Sequence, residues 1–176
     1  MNIWHDIDEK RIQKDDFVCV IEISQGSKNK YELDKETGML ILDRVLHAAM
    51  VYPTNYGFIP KTYGGDKDPL DVLVICVEPI VPLTLVRCRP IGIVYMLDGG
   101  EADEKIIAIS AKDPHNNKIT DVNELKSFIL DEIKHFFTFY KKLENKETQV
   151  TGVGNCLEAQ KVIGEAINNY KSMFCN

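Results

Sequence analysis

The stretch Gly64-Gly65-Asp66-Lys67-Asp68-Pro69-Leu70-Asp71-Val72-Leu73-Val74-Ile75-Cys76-Val77 joins two opposite kinds of sequence. Its first half consists of turn formers and carries three carboxylates within six residues. Its second half, residues 72–77, is the longest unbroken apolar run in the chain. That run reads as a short strand and falls far short of a membrane span. A strand entered through an acidic Gly/Asp/Pro turn is therefore the unit from which the fold is read.

Similar units lie on both sides. Residues 17–23 are apolar except for Glu22, and 84–88, 91–97 and 105–109 are further strand candidates. Segments 31–34 and 39–43 flank Lys35-Glu36-Thr37-Gly38, a plausible hairpin turn. Pro79, Pro82, Pro90 and the pair Gly99-Gly100 punctuate the series. Many short strands with frequent turns suggest a closed barrel or a sandwich. The last third changes period. From Val122, apolar residues at 122, 125, 128, 129, 133, 136, 137, 140 and 143 form a helical stripe, and Asp121 with Glu124 makes a capping-box-like start. A short strand around 148–151 follows. Asn155 then stands where a cap is needed for a second helix, with Ala159, Val162, Ile163, Ala166, Ile167 and Tyr170 on one face. Without repeats, low complexity or a linker, the chain reads as one α+β domain over 1–176, mainly β, with a barrel-like core and two C-terminal helices.

Composition narrows the function. The 176 residues are 44% hydrophobic and 27% charged, an ordinary globular balance. Asp and Glu number 27 against 21 Lys and Arg, a net charge of −6 that opposes nonspecific binding to nucleic acid or to an anionic membrane. Five cysteines (Cys19, Cys76, Cys88, Cys156, Cys175), without a C-x-x-C, offer neither a disulfide framework nor a zinc knuckle. The N-terminus has no basic lead or apolar h-region, and no glycosylation sequon occurs, so a soluble, reducing compartment is expected. There is no Walker A loop, no G-x-S-x-G elbow, and no zinc spacing among His5, His47, His115 and His135.

The acidic turn admits two readings. Two carboxylates about 4 Å apart repel by about 4 kcal/mol at an effective dielectric of 20. Such crowding is tolerable in a solvated turn, or where a cation neutralises it, and composition alone leaves both open. All-oxygen ligands favour a hard cation, Mg²⁺ or Ca²⁺. An EF-hand is excluded: position six from Asp66 is Asp71 rather than Gly, and position twelve is Val77. A second acidic turn, Asp98-Gly99-Gly100-Glu101-Ala102-Asp103-Glu104-Lys105, reads by itself as a charged hairpin tip. If both turns lie on one rim, they supply ligands for more than one metal. Tyr52-Pro53-Thr54-Asn55-Tyr56-Gly57 reads either as buried packing or as phenol donors aimed at an oxyanion. Lys30, Glu32, Arg44 and Lys141 are each compatible with a surface position. Glu22 is the exception, since its neighbours on both strand faces are apolar.

Taken in order, these residues resemble soluble family I inorganic pyrophosphatases. The signature is Asp66-x-Asp68-Pro69-Leu70-Asp71-Val72. Ile21-Glu22-Ile23, Lys30-Tyr31-Glu32, Asp43-Arg44, Tyr52-Pro53-x-Asn55-Tyr56-Gly57 and Arg87-Cys88-Arg89-Pro90-Ile91-Gly92 accompany it. Asp98, Asp103-x-Lys105 and Phe136-Phe137-x-x-Tyr140-Lys141-x-Leu143-Glu144 complete the set, over about residues 15–170. The resemblance is to the short prokaryotic type. It implies a closed five-stranded OB-like barrel with additional strands and helices, a homohexamer, a cytoplasmic location, and Mg²⁺-dependent hydrolysis of pyrophosphate to two orthophosphates by a metal-activated water. It also implies roles. Asp66, Asp71 and Asp103 would bind a first metal, Asp71 also a second, and Asp98 with Asp103 a third. Asp68 would be the general base. Lys30, Arg44, Tyr56, Tyr140 and Lys141 would hold the phosphates, Tyr56 as a neutral donor in the reaction, and Glu22, Glu32, Tyr52 and Lys105 would support them.

Two positions depart from the family pattern: Lys67, where Gly, Ser, Asn or Asp is usual, and Gly99, where Glu is frequent. They bear on metal affinity and on the third metal. The implied site holds seven carboxylates and four cations, and that surplus of three accounts for half of the −6. The acids that repel nucleic acid are thus the ones that recruit the metal for a small polyanion. The other readings are a non-catalytic OB-like module for nucleotides or single strands, and a hydrolase for another diphosphate or phosphate ester.

Overall fold

The computed structural model describes residues 2–175. Strand β1 (Phe17–Ile23) is buried along its whole length. It pairs antiparallel with β4 (Asn55–Phe58) on one side and with the start of β6 (Leu85–Asp98) on the other. β4 pairs with β5 (Asp71–Ile75), β5 runs parallel to β8 (Lys105–Ser110), and β8 pairs antiparallel with β6. The pairings therefore close a ring through β1, β4, β5, β8 and β6. The two-residue β7 (Glu101–Ala102) and the eight-residue β9 (Thr148–Asn155) add to β6, while β2 (Asn29–Leu33) and β3 (Leu40–Val45) form a separate two-stranded hairpin. Where β4 crosses β1, a Cβ at position 57 would sit 1.9 Å from the Val20 carbonyl oxygen, so only Gly57 permits the approach.

Alternation along the ring explains the unbroken apolar strands. Val72 and Val74 of β5, with Ile106 and Ala108 of β8, pack in the same cluster as Ala159, Ile163 and Ala166 of α2 (Cys156–Phe174). Leu73, Ile75, Ile107 and Ile109 pack with Ile133, Phe136 and Phe137 of α1 (Ser127–Phe139). Each helix covers the opposite set of side chains, so both faces of β5 and β8 must be apolar. Asp71 stands at the half-buried entry of β5, whose other four residues are buried.

Several sequence boundaries move. The expected strands 84–88 and 91–97 are one 14-residue strand, β6, because a register shift between Pro90 and Gly92 absorbs the missing Pro90 N–H. The helical stripe from Val122 is not one helix. Asp121 and Glu124 do form a capping box, but it closes one 3-10 turn over Val122–Glu124, and Leu125 and Lys126 are extended before α1 begins. Val122 and Leu125 still bury in the cluster of Ile133 and Phe136, whereas Phe128 and Leu143 of the expected stripe are exposed, so the stripe is neither one helix nor one buried face. At the second helix, Asn155 accepts from the Glu158 N–H and Glu158 returns to the Asn155 N–H. Among the described residues all five cysteines are free, and no helix is long and apolar enough to cross a membrane.

Candidate active site

The parallel pairing of β5 with β8 builds the floor of the site. Register places Asp71 opposite Lys105, with Asp103 two residues earlier on the same approach. The buried Lys105 ammonium donates to Asp71 Oδ2 at 2.8 Å, to Asp103 Oδ1 at 3.0 Å and to the Tyr56 hydroxyl at 3.1 Å. Burial opposes its charge, but Asp71 and Asp103 outweigh that and hold its pKa above the ordinary lysine value. Burial raises the Asp103 carboxyl, which Lys105 opposes and Asp71 reinforces. Asp66 is likewise raised by burial and by Asp71. The Tyr56 phenol, desolvated and facing Asp71 and Asp103, is pushed well above its usual range.

The walls repeat the pairing of acids with lysines. Lys141 pairs with Asp98, Lys35 with Asp68, and Lys30 with Glu32 and with Asp43 at 3.1 Å. Glu22 lies on β1 with its Oε1 accepting from the Leu33 N–H at 2.8 Å, and burial followed by repulsion from Asp71 pushes its carboxyl up to about 8. These side chains converge on one cavity of about 330 Å³, lined by Glu22, Lys30, Glu32, Tyr56, Asp66, Asp68, Asp71, Asp98, Asp103, Lys105, Tyr140 and Lys141. An adjoining niche of about 10 Å³ is bounded by Asp66, Asp71 and Asp103, room for one small ion or water. Among the described residues no three carboxylate, thiol or imidazole groups are already drawn into a ligand cage, because Lys105 stands between Asp71 and Asp103. Asp66 forms no ion pair among those residues, and its Oδ1 accepts from the Asp68 N–H. An all-carboxylate donor set with two carboxyls raised by burial and, less, by repulsion from Asp71 suits a hard divalent cation.

Residues 19–171 match the family model for inorganic pyrophosphatase. The chain belongs to the inorganic pyrophosphatase family. A soluble inorganic pyrophosphatase from Chlamydomonas reinhardtii is 48% identical over 171 residues, covering 97% of this chain and 89% of that protein. The pyrophosphatase from Helicobacter pylori superposes with a TM-score of 0.88 at 44% identity, over 91% of this chain and 96% of that one. The Thermus thermophilus enzyme gives a TM-score of 0.91 at 36% identity, over 97% and 99%. The family I resemblance drawn from the motifs is thus shown, and with it an inorganic diphosphatase rather than a silent binding module.

Two residues implicated by the motifs lie off the pyrophosphatase cavity lining. Arg44, on β3, turns to Asp43 and brings its Nε within 2.6 Å of Glu144 Oε1, while its buried Nη2 has no partner among the described residues. Tyr52 is buried beneath Tyr56, with ring centroids 5.5 Å apart, and packs on Phe136 at 4.8 Å. Conversely, the cavity includes Lys35, which the sequence presents only as a turn residue. Asp43 and Glu144, motif residues to which the resemblance assigns no role, hold the two cations of the hairpin with their carboxylates. The departures also find a setting. Lys67 has φ +69°, the left-handed region that Gly, Asn and Asp enter most readily, so lysine there carries about 1 kcal/mol of backbone strain. Gly99 and Gly100, at φ +58° and +87°, make the tight turn joining β6 to β7.

Proposed function

We propose that the site hydrolyses pyrophosphate to two orthophosphates with Mg²⁺ as the required cofactor and Asp68 as general base. The observation that carries this reading is the single cavity in which an acidic floor (Asp66, Asp71, Asp103) faces basic groups from the hairpin and from the end of α1 (Lys30, Lys141). Asp66, Asp71 and Asp103 would hold the first metal, Asp71 also the second, and Asp98 with Asp103 a third. Bound there, divalent ions lower the pKa of water and screen phosphoryl charge. Asp68 is half exposed at the mouth, suited to accept a proton from an attacking water. Lys30, Lys141 and Arg44 neutralise the phosphoryl oxygens, and Tyr140 and Tyr56 remain neutral donors because burial holds both phenols above their usual range. Glu22, Glu32, Tyr52 and Lys105 hold these groups in place.

In this reading the five-strand ring is an OB-like barrel, 1–176 works as one domain, and the protein is cytoplasmic. The exposed Val51 and Phe128 beside Met50 and Pro53 offer an apolar face for a homohexamer, which sedimentation would measure. The decisive experiment is phosphate release from pyrophosphate with Mg²⁺ and with EDTA, alongside other diphosphates. Release only with Mg²⁺ is expected. Asp68→Asn should keep metal binding and lose turnover by about a hundredfold or more, whereas wild-type turnover in that variant removes the general base.

A further inference from the structure

We propose that Lys35 is a positioning residue, a clamp that joins the β2–β3 hairpin to the acidic loop and is seated on Trp4. Lys35 lies in the hairpin turn, and its ammonium reaches across the cavity mouth to the Asp68 carboxylate. The same ammonium lies 5.6 Å from the centre of the Trp4 ring, within cation–π range. Trp4 is itself fixed on both sides of that mouth. Its indole N–H donates to the Thr62 carbonyl at 3.0 Å, and Thr62 Oγ1 accepts from the Leu70 N–H at 2.9 Å, bracketing the loop that carries Asp66 and Asp68. On the hairpin side, Asn2 Nδ2 donates to the Lys35 carbonyl at 3.0 Å.

The platform is rigid. Trp4 is only 5% exposed, stacks on His5 at 4.5 Å, and meets the edge of Phe174 at 5.3 Å. The hairpin is otherwise a separate two-stranded sheet, held to the ring through contacts such as Leu33 N–H to Glu22. Lys30 and Arg44 ride on that hairpin, whereas Asp66, Asp68 and Asp71 belong to the loop and the ring. The clamp therefore sets the spacing between the cations on one side of the cavity and the acids on the other. Lys35 acts through the Asp68 carboxylate that it orients. The coupling of Trp4, Lys35 and the loop is geometric; the size of its effect on turnover rests on the function proposed above.

Trp4 is the only tryptophan in the chain, so its emission reports on this contact directly. The test follows Trp4 fluorescence as MgCl₂ and inorganic phosphate are added, together with kcat and KM for pyrophosphate. In the wild type the emission should respond. In Lys35→Met, a substitution at a half-exposed side chain, the response should fall by at least half and kcat by about tenfold. KM should change by less than about threefold, and Lys35→Arg should restore most of kcat. Wild-type kcat in Lys35→Met overturns the proposal. So does an unaltered Trp4 response in that variant, equal impairment in Lys35→Arg, or a wild-type emission indifferent to both additions. Asp68→Asn and the wild-type assay, run in parallel, separate the readings. If Asp68→Asn keeps wild-type turnover, the general base and the catalytic effect of the clamp fall together, because that variant also removes the partner of Lys35. If the wild type releases no phosphate with Mg²⁺ while its Trp4 emission still responds and Lys35→Met still halves that response, the proposed function falls and the clamp stands.

Discussion

The floor and the hairpin hold the same kinds of charged group in opposite ways. On the floor, Lys105 is 3% exposed and its partners Asp71 and Asp103 are 25% and 17% exposed, all fixed by the parallel register of β5 and β8. At the mouth, Lys35 and Asp68 are 48% and 49% exposed, and Glu32, which faces Lys30, is 49% exposed. Buried pairs are costly to break because the remaining charge cannot recover its water. Exposed pairs are cheap to break because water and salt replace the partner. The floor is thus suited to holding carboxylates in fixed relation, whereas the half-exposed Lys35–Asp68 contact at the mouth is one that solvent and salt can replace.

Four substitutions test the difference between floor and hairpin. Asp71→Asn, which removes the acid common to both proposed main metals, should cut phosphate release by about a thousandfold, about 4 kcal/mol at the barrier. A loss of only a few fold would show that the floor is structural rather than catalytic. Lys105→Met leaves Asp71 and Asp103 facing each other unneutralised, and urea unfolding in EDTA should show a loss of about 3 kcal/mol. Unchanged stability there would erase the distinction between floor and hairpin.

Glu22 gives the third test, through pH. Its carboxyl is raised from 4.5 to about 8 by burial and by Asp71. The folded state keeps that proton where the unfolded chain releases it. The stability contributed is therefore complete below 4.5 and lost as pH rises through 8. Glu22→Gln stays neutral, so its stability advantage over the wild type should grow by about 2 kcal/mol from pH 5 to pH 8, each unit being worth at most about 1.4 kcal/mol. A constant difference across that range would contradict the raised carboxyl. The smallest effect belongs to the hairpin. Asp43→Asn weakens contacts to Lys30 and Arg44, but these keep Glu32 and Glu144 as partners, so the unfolding free energy should fall by less than about 1 kcal/mol. A loss matching that of Lys105→Met would mean that the hairpin is as rigid as the floor.

Particular elements show what the sequence made legible. The extent of β1 follows from its apolar run around Glu22, and the capping pair Asp121–Glu124 and the Asn155 cap follow from local hydrogen-bond chemistry. β4 was not legible. Its four residues, Asn55–Phe58, lie in a Tyr/Pro/Asn/Gly segment without strand periodicity, and they become a strand because β1 and β5 supply partners on both edges. The break between the 3-10 turn and α1 was hidden for the opposite reason: extended Leu125 keeps its side chain on the same buried face that a continuous helix would use.

For the site, sequence by itself determined which residue types were present: the Asp-rich turns, the lysines and the buried tyrosines, at spacings shared with inorganic pyrophosphatases. Those are local properties, written in side-chain chemistry and turn propensity. Which acid meets which cation was decided only by tertiary structure. The Asp71–Lys105 pair is set by strand register across 34 positions of chain, and the Lys35–Asp68 contact by a hairpin folded over a loop that is 33 positions away. Ion pairing falls off with distance in space and is blind to distance along the chain. The partners therefore exist only once the ring has closed.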